Sequence, residues 1–209
     1  MKKIFLLTIG IFIGALLQAQ SFSGGILAGF SASQYDGDTY SGFHRAGLIG
    51  GVYVGHDISA KFSWNMEMKY IQKGSYQRAE PDYGIPEYSL RLNYAEVPFL
   101  IRYSILKYKL NFEAGLGFGY LASHHELVNN IDADPNNLRP FHKFEISYQL
   151  GGYFQIMKKL SVNIRYEYSL LPARPHAGGG KHGLNWGEYN NLIAFTLKYQ
   201  LSKLKSADE

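Results

Sequence analysis

The 209-residue chain contains no cysteine. That excludes disulfides, a thiol nucleophile, thiolate metal centres and a lipidated N-terminal cysteine, so stability has to come from packing and backbone pairing. Proline is scarce, at seven residues, and falls mostly in segments that read as loops. There is no basic tract. Setting aside Lys2 and Lys3 leaves 19 of the 21 basic residues against 17 acidic ones, a formal charge of +2 with no footprint for nucleic acid. Beyond the first 20 residues no stretch approaches the ~18 consecutive apolar residues of a membrane-spanning helix. No linker rich in proline, serine or glycine divides the chain, which reads as one domain.

Aromatics and glycine are plentiful. Seventeen tyrosines, thirteen phenylalanines and 23 dispersed glycines favour sheet over helix. Residues 1–19 have a basic start at Lys2 and Lys3, an apolar run from Ile4 to Leu17, and Ala19 before Gln20. This is the pattern of a secretory signal peptide cleaved after Ala19. An anchor helix would need about 20 apolar residues, and Gly10 and Gly14 interrupt the run. The expected mature domain is 20–209.

From Phe22 the chain alternates: Phe22, Gly24, Ile26, Ala28 and Phe30 oppose Ser23, Gly25, Leu27, Gly29 and Ser31. A period of two is the mark of a strand. Further strands are expected near 43–55, 61–76, 90–105, 110–123, 143–156, 160–171 and 190–201. In the third, Phe62, Trp64, Met66, Met68 and Tyr70 face away from Ser63, Asn65, Glu67 and Lys69. The connections alternate between long (34–42, 77–89, 124–142, 172–189) and short (56–60, 106–109, 157–159). Long loops therefore gather at one end and short turns, with both termini, at the other. This predicts an all-β fold, an eight-stranded antiparallel up-and-down transmembrane β-barrel. Its location would be the outer membrane of a Gram-negative cell, reached through the signal peptide.

Alternation is shared with soluble barrels, whose stripes are turned inside out. Here one face is large and aromatic, while the other mixes glycine with opposite charges: Glu67 and Lys69, Glu96 and Arg102, Glu113, Lys143 and Glu145, Arg165 and Glu167. Eight strands enclose a lumen that side chains just fill, which places charge and glycine inside and aromatics against lipid. Tyr53, Tyr70, Tyr103, Tyr120, Tyr153 and Tyr199 include candidates for interfacial girdles.

The stretch Leu92 to Tyr103, LNYAEVPFLIRY, resembles the fourth-strand pattern of the PorT-like family of outer-membrane β-barrels. Gly25 to Phe30, the QKG at Gln72 to Gly74, AGLGFGYL at Ala114 to Leu121 and SVNIRYEYSL at Ser161 to Leu170 follow in the family's order. The resemblance implies an eight-stranded outer-membrane barrel without catalytic residues, in a family whose namesake is linked to protein secretion.

Glu96 and Arg102 are expected on the inward face with Pro98, which cannot donate a ladder hydrogen bond and so predicts an irregularity. Intramembrane charges can serve a gated proton or ion path. A plug of charge-assisted hydrogen bonds is the preferred reading, built from Glu67, Lys69, Glu96, Arg102, Glu113, Arg165 and Glu167. Six of the seven histidines, at positions 44, 124, 125, 142, 176 and 182, lie in or near the long loops and match no compact metal motif. Asp132, Asp134 and Asn136 begin like a calcium loop, but Asn137 replaces the required glycine and Lys143 the bidentate glutamate. Ser123, His124, His125 and Glu126 invite a hydrolase reading, yet sequence neighbours rarely meet a nucleophile's geometry. Gly178 to Gly180 with Lys181 lacks the strand-to-helix context of a phosphate loop.

The expectation is thus a monomeric barrel with no catalytic, cofactor or metal site. Its partners would be outer-membrane lipid and envelope or secretion proteins, and its role structural or binding, in envelope integrity, adhesion or secretion. A barrel hydrolase acting on lipid or peptide, or a narrow solute channel, is the alternative.

Overall fold

The computed structural model describes residues 22–38, 42–105, 110–133, 139–176 and 186–203. Nine strands follow in order: β1 (Phe22–Asp36), β2 (Arg45–Asp57), β3 (Phe62–Gln77), β4 (Tyr88–Ile105), β5 (Leu110–Val128), β6 (Ile131–Asp132), β7 (Phe144–Met157), β8 (Leu160–Ser169) and β9 (Tyr189–Lys203). Each long strand pairs antiparallel with its sequence neighbours, and β1 pairs with β9. The result is a closed eight-stranded barrel, as expected. Closure matters in lipid, where an open edge would strand backbone donors and acceptors without water. The unexpected β6 is a two-residue strand folded back on the end of β5. The expected signal peptide and the turn at 106–109 lie outside the described residues.

The β4 and β5 strands run 18 and 19 residues, although about 9 to 11 tilted residues cross a bilayer. The outward face of β4 locates the crossing. Ala95, Val97, Phe99, Ile101 and Tyr103 are apolar, whereas Arg91 and Asn93 above them are polar. Asn93 accepts from Tyr70 Oη at 2.8 Å and Gln72 Nε2 at 3.1 Å and donates to Ser123 Oγ at 2.9 Å. This polar belt meets the outward rings Tyr70 and Tyr120 and marks the loop-side membrane boundary. Toward the turn end, Phe62 packs on Tyr103 and Trp64 on Phe99. Of the six tyrosines proposed for girdles, Tyr70, Tyr103, Tyr120 and Tyr199 face outward. Tyr53 and Tyr153 point inward, because Lys198 and Arg102 stack over their rings.

Two backbone features confirm that the strands are not uniform. The β3–β4 ladder is interrupted between Met66↔Phe99 and Lys69↔Glu96, where Pro98 has no N–H to give, yet the register does not shift. The register shift of β4 lies elsewhere, against β5 at Asn93/Tyr94 in the belt. Gly74 has φ +138°, and a Cβ there would stand 2.1 Å from the Leu90 carbonyl oxygen. Gly74→Ala should lower the unfolding free energy by about 1–3 kcal/mol, the usual cost of a strained backbone. Urea unfolding in detergent reads this, and an unchanged midpoint would show that the β3–β4 pairing is not fixed there.

Candidate functional site: the charged lumen

The inward face of β4, read from loop end to turn end, is Tyr88, Leu90, Leu92, Tyr94, Glu96, Pro98, Leu100, Arg102, and it layers the lumen. Nearest the loops is an apolar layer of Tyr35, Ile71, Leu90, Leu92, Leu121 and Leu192, all fully buried. A lumen of polar and charged groups alone was expected, so this layer is a correction. Its physical reason is strand length: where the barrel rises above the membrane its outside turns polar, and the inside packs as an ordinary apolar core.

Below it lies the first charge cluster. Lys73 Nζ stands 2.8 Å from Glu96 and 2.6 Å from Glu145, and also contacts Glu167. Lys69 reaches Glu96 at 3.0 Å and Glu167 at 3.5 Å. The three carboxylates converge closely enough to hold a cation, and the Lys73 ammonium takes that place. The second cluster is nearer the turns. Arg165 grips Glu67 with two hydrogen bonds of 2.9 Å and gives Nε and Nη2 to Glu113 at 2.8 and 2.6 Å. Lys198 bonds Glu67 at 2.6 Å, and Arg102 Nε bonds Glu113 at 3.0 Å. Gln149 joins the clusters, donating to Glu96 at 2.8 Å and accepting from Arg165 at 3.2 Å. Gly117 makes room for that amide: a Cβ there would meet Gln149 Nε2 at 2.3 Å.

All seven residues proposed for the network lie on the inward wall and are buried. Their pairing is not the one expected between sequence neighbours: Lys69 meets Glu96 and Glu167 instead of Glu67, and Arg165 meets Glu67 and Glu113 instead of Glu167. Arg102 engages Glu113, its cross-strand neighbour, while Glu96, six residues away along β4, engages the two lysines. Lys143 is exposed at the start of β7 and takes no part inside. Sequence reading missed Lys73, Glu145 and Lys198 as network members. Parity along β3 would have placed Lys73 inward with Glu67 and Lys69. With them the two clusters hold five carboxylates and five cations among the described residues.

The loop end has its own closure, which the sequence did not reveal. Arg174 donates Nε to Glu188 at 2.6 Å and Nη1 to Glu126 at 2.8 and 3.1 Å, and Nη2 to Tyr88 at 3.2 Å. Its guanidinium also stacks over Tyr35 and Phe141. Burial opposes its charge, but the bonds to Glu126 and Glu188 prevail and hold its pKa above the ordinary arginine value. Arg139 adds a 2.6 Å contact to Glu188, and His142 N bonds Ala173 O at 2.7 Å. The segments after β6 and β8 are thereby tied across the barrel mouth.

The loop residues considered for chemistry separate. Ser123 accepts from Asn93, Glu126 is held by Arg174 and Tyr88, His124 lies on Phe141 and His125 stands 3.6 Å from Asp132. No serine–histidine hydrogen bond joins them among the described residues. His142 is fixed to Pro172 O at 3.0 Å. Asp132 sits in β6, while Asp134, Asn136, Asn137, His182 and the run from Gly178 to Lys181 lie outside the described residues.

Two solved structures show how widely this architecture is shared. Ail, the attachment invasion locus protein of Yersinia pestis, solved in complex with the heparin analogue sucrose octasulfate, is 12% identical. The match covers 87% of this chain and 99% of that one, with a TM-score of 0.50. Neisserial surface protein A is 10% identical over 85% of this chain and 96% of that one, with a TM-score of 0.51. At such identities the likeness is one of fold. Sequence comparison with curated proteins gives no match. The model of the outer membrane protein beta-barrel domain matches residues 18–173, from before β1 to past β8. That is more than half of a chain whose strands close into the corresponding barrel, and the chain belongs to the outer membrane protein beta-barrel domain family.

Proposed function

We propose that the chain is a monomeric, plugged, non-catalytic scaffold of the outer membrane that acts on other envelope components through its loop end. The observation that carries this reading is the lumen itself. Five carboxylates and five cations, an apolar layer and the Arg174 clamp occupy the space a channel would need. Intramembrane charges locked to one another in this way offer no mobile carrier. The orientation follows from the general rule for such barrels, with short turns and termini periplasmic and long loops outside. Export of the chain would use residues 1–19, removed after Ala19.

Work at the loop end suits binding better than turnover, because the polar side chains that close its mouth, Arg174, Glu126, Glu188 and Tyr88, are already committed to one another. It also exposes apolar groups among the described residues: Tyr83 is 80% exposed beside Pro81 and Asp82, and Ile131 is 71% exposed on β6. Adhesion, envelope integrity and secretion are the roles such a surface can serve. The fourth-strand likeness to PorT-like barrels makes a secretion component the first partner to test. A photo-crosslinking residue at position 83 or 131 in intact envelopes should give discrete protein adducts, absent when it replaces lipid-facing Leu197. Adducts at none of the loop positions would defeat the reading.

A further inference from the structure

Among the described residues, the turn end of the lumen is open where the loop end is clamped. A cavity of about 510 Å³ enters there, with Arg102 and Lys198 at its inner end and Lys158 and Lys159 at its rim. The charges beneath it do not balance locally. The cluster nearer the turns sets Arg102, Arg165 and Lys198 against Glu67 and Glu113, an excess of one cation. The compensating excess carboxylate belongs to the Lys73 cluster on the far side of Gln149. Arg102 is the member of this cluster nearest the opening. It lines the cavity with a side chain 9% exposed, and gives Nε to Glu113 while Nη2 is sealed from solvent. With Nε on Glu113, the guanidinium still has N–H donors to offer an acceptor that enters the cavity it lines.

The surrounding wall supplies donors of the right kind. Ser104 donates to Asn111 Oδ1, which fixes that amide and leaves its NH₂ group as a donor beside Arg102. Serine hydroxyls at 23, 63 and 161 line the same space, and Asp57 is the one carboxylate among the described residues that line it. Guanidinium presents a planar fork that matches carboxylate and phosphate oxygens, and a low-dielectric recess strengthens such bonds.

We propose that this turn-end cavity binds a small soluble oxyanion of the carboxylate or phosphate class, with Arg102 as its main anchor, Asn111 as a second donor and Lys158 and Lys159 drawing it in. The site is independent of whatever the loops bind. The closed layers above it make it a receptor pocket on the periplasmic side and not a passage.

The test uses the full-length barrel refolded in detergent and titrated by calorimetry with inorganic phosphate and, separately, citrate, against sodium chloride of matched ionic strength. Saturable heat with at least one of the two probes, absent with chloride, is the expected result, and the probe that binds tells phosphate from carboxylate. Arg102→Gln should weaken binding at least about tenfold, as expected for loss of a charge-assisted anchor. Lys158→Gln with Lys159→Gln should weaken it about threefold and flatten its salt dependence. Because Arg102→Gln removes a partner of Glu113, a second variant, Asn111→Asp, places a carboxylate on the same wall and should abolish binding in a folded barrel. No saturable heat with either probe, or equal binding by wild type and these variants, would overturn the proposal.

Discussion

Replacing Arg165 with methionine will lower the unfolding free energy of the barrel by about 3–5 kcal/mol, the cost of leaving buried charges without their partner. The side chain is buried and bonds Glu67, Glu113 and Gln149 together. Lys198 and Arg102 remain for the two carboxylates, but the lumen is left with four cations against five carboxylates. Arg165→Lys restores the charge without the planar fork and should lose less than half as much. Adding Glu113→Gln to Arg165→Met restores four against four. The double variant should therefore be less destabilised than the sum of the singles by about 0.5–3 kcal/mol, the coupling of groups in one network. Urea unfolding followed by tryptophan fluorescence gives all four values, and strict additivity would mean that these residues do not act as a unit.

The second large effect is on the outside. Met68 is 66% exposed midway along β3, paired with Val52 of β2. In water an arginine at such an exposed position would change stability by no more than about 0.5 kcal/mol. Against the middle of a bilayer it costs about 2–4 kcal/mol. Met68→Arg should accordingly fold poorly into lipid vesicles, seen as loss of the heat-modifiable band on a gel, while Met68→Leu folds like wild type. Equal folding of Met68→Arg would place water and not lipid on this face.

Much of this was legible in the chain because the side-chain period of a strand is two and a membrane barrel reverses the usual inside and outside. The row Phe62, Trp64, Met66, Met68, Tyr70 identified the lipid face of β3, and Glu67 and Lys69 its lumen face. Alternating connection lengths supplied the strand count. What parity could not supply is which inward charges meet, since that depends on the stagger between strands. Glu96 reaches across to Lys73, and Lys73 to Glu145 and Glu167, contacts separated by many residues in sequence. Nor could it supply the loop-end clamp, because Arg174 and Glu126 lie in a segment and a strand extension without alternation to mark them. The inward apolar layer went unrecognised for a related reason. Leu90 and Leu92 carry the same parity as Glu96, and only the height of the membrane on β4 separates core from lumen.

A closed lumen is tested most directly by conductance. The full barrel, refolded and inserted into planar bilayers, should give no discrete conductance steps at any voltage the bilayer withstands. It should stay silent when Arg174→Ala opens the loop end alone, because the two charge clusters still fill the lumen beneath. Resolved, repeated conductance steps from the folded wild-type barrel would contradict it.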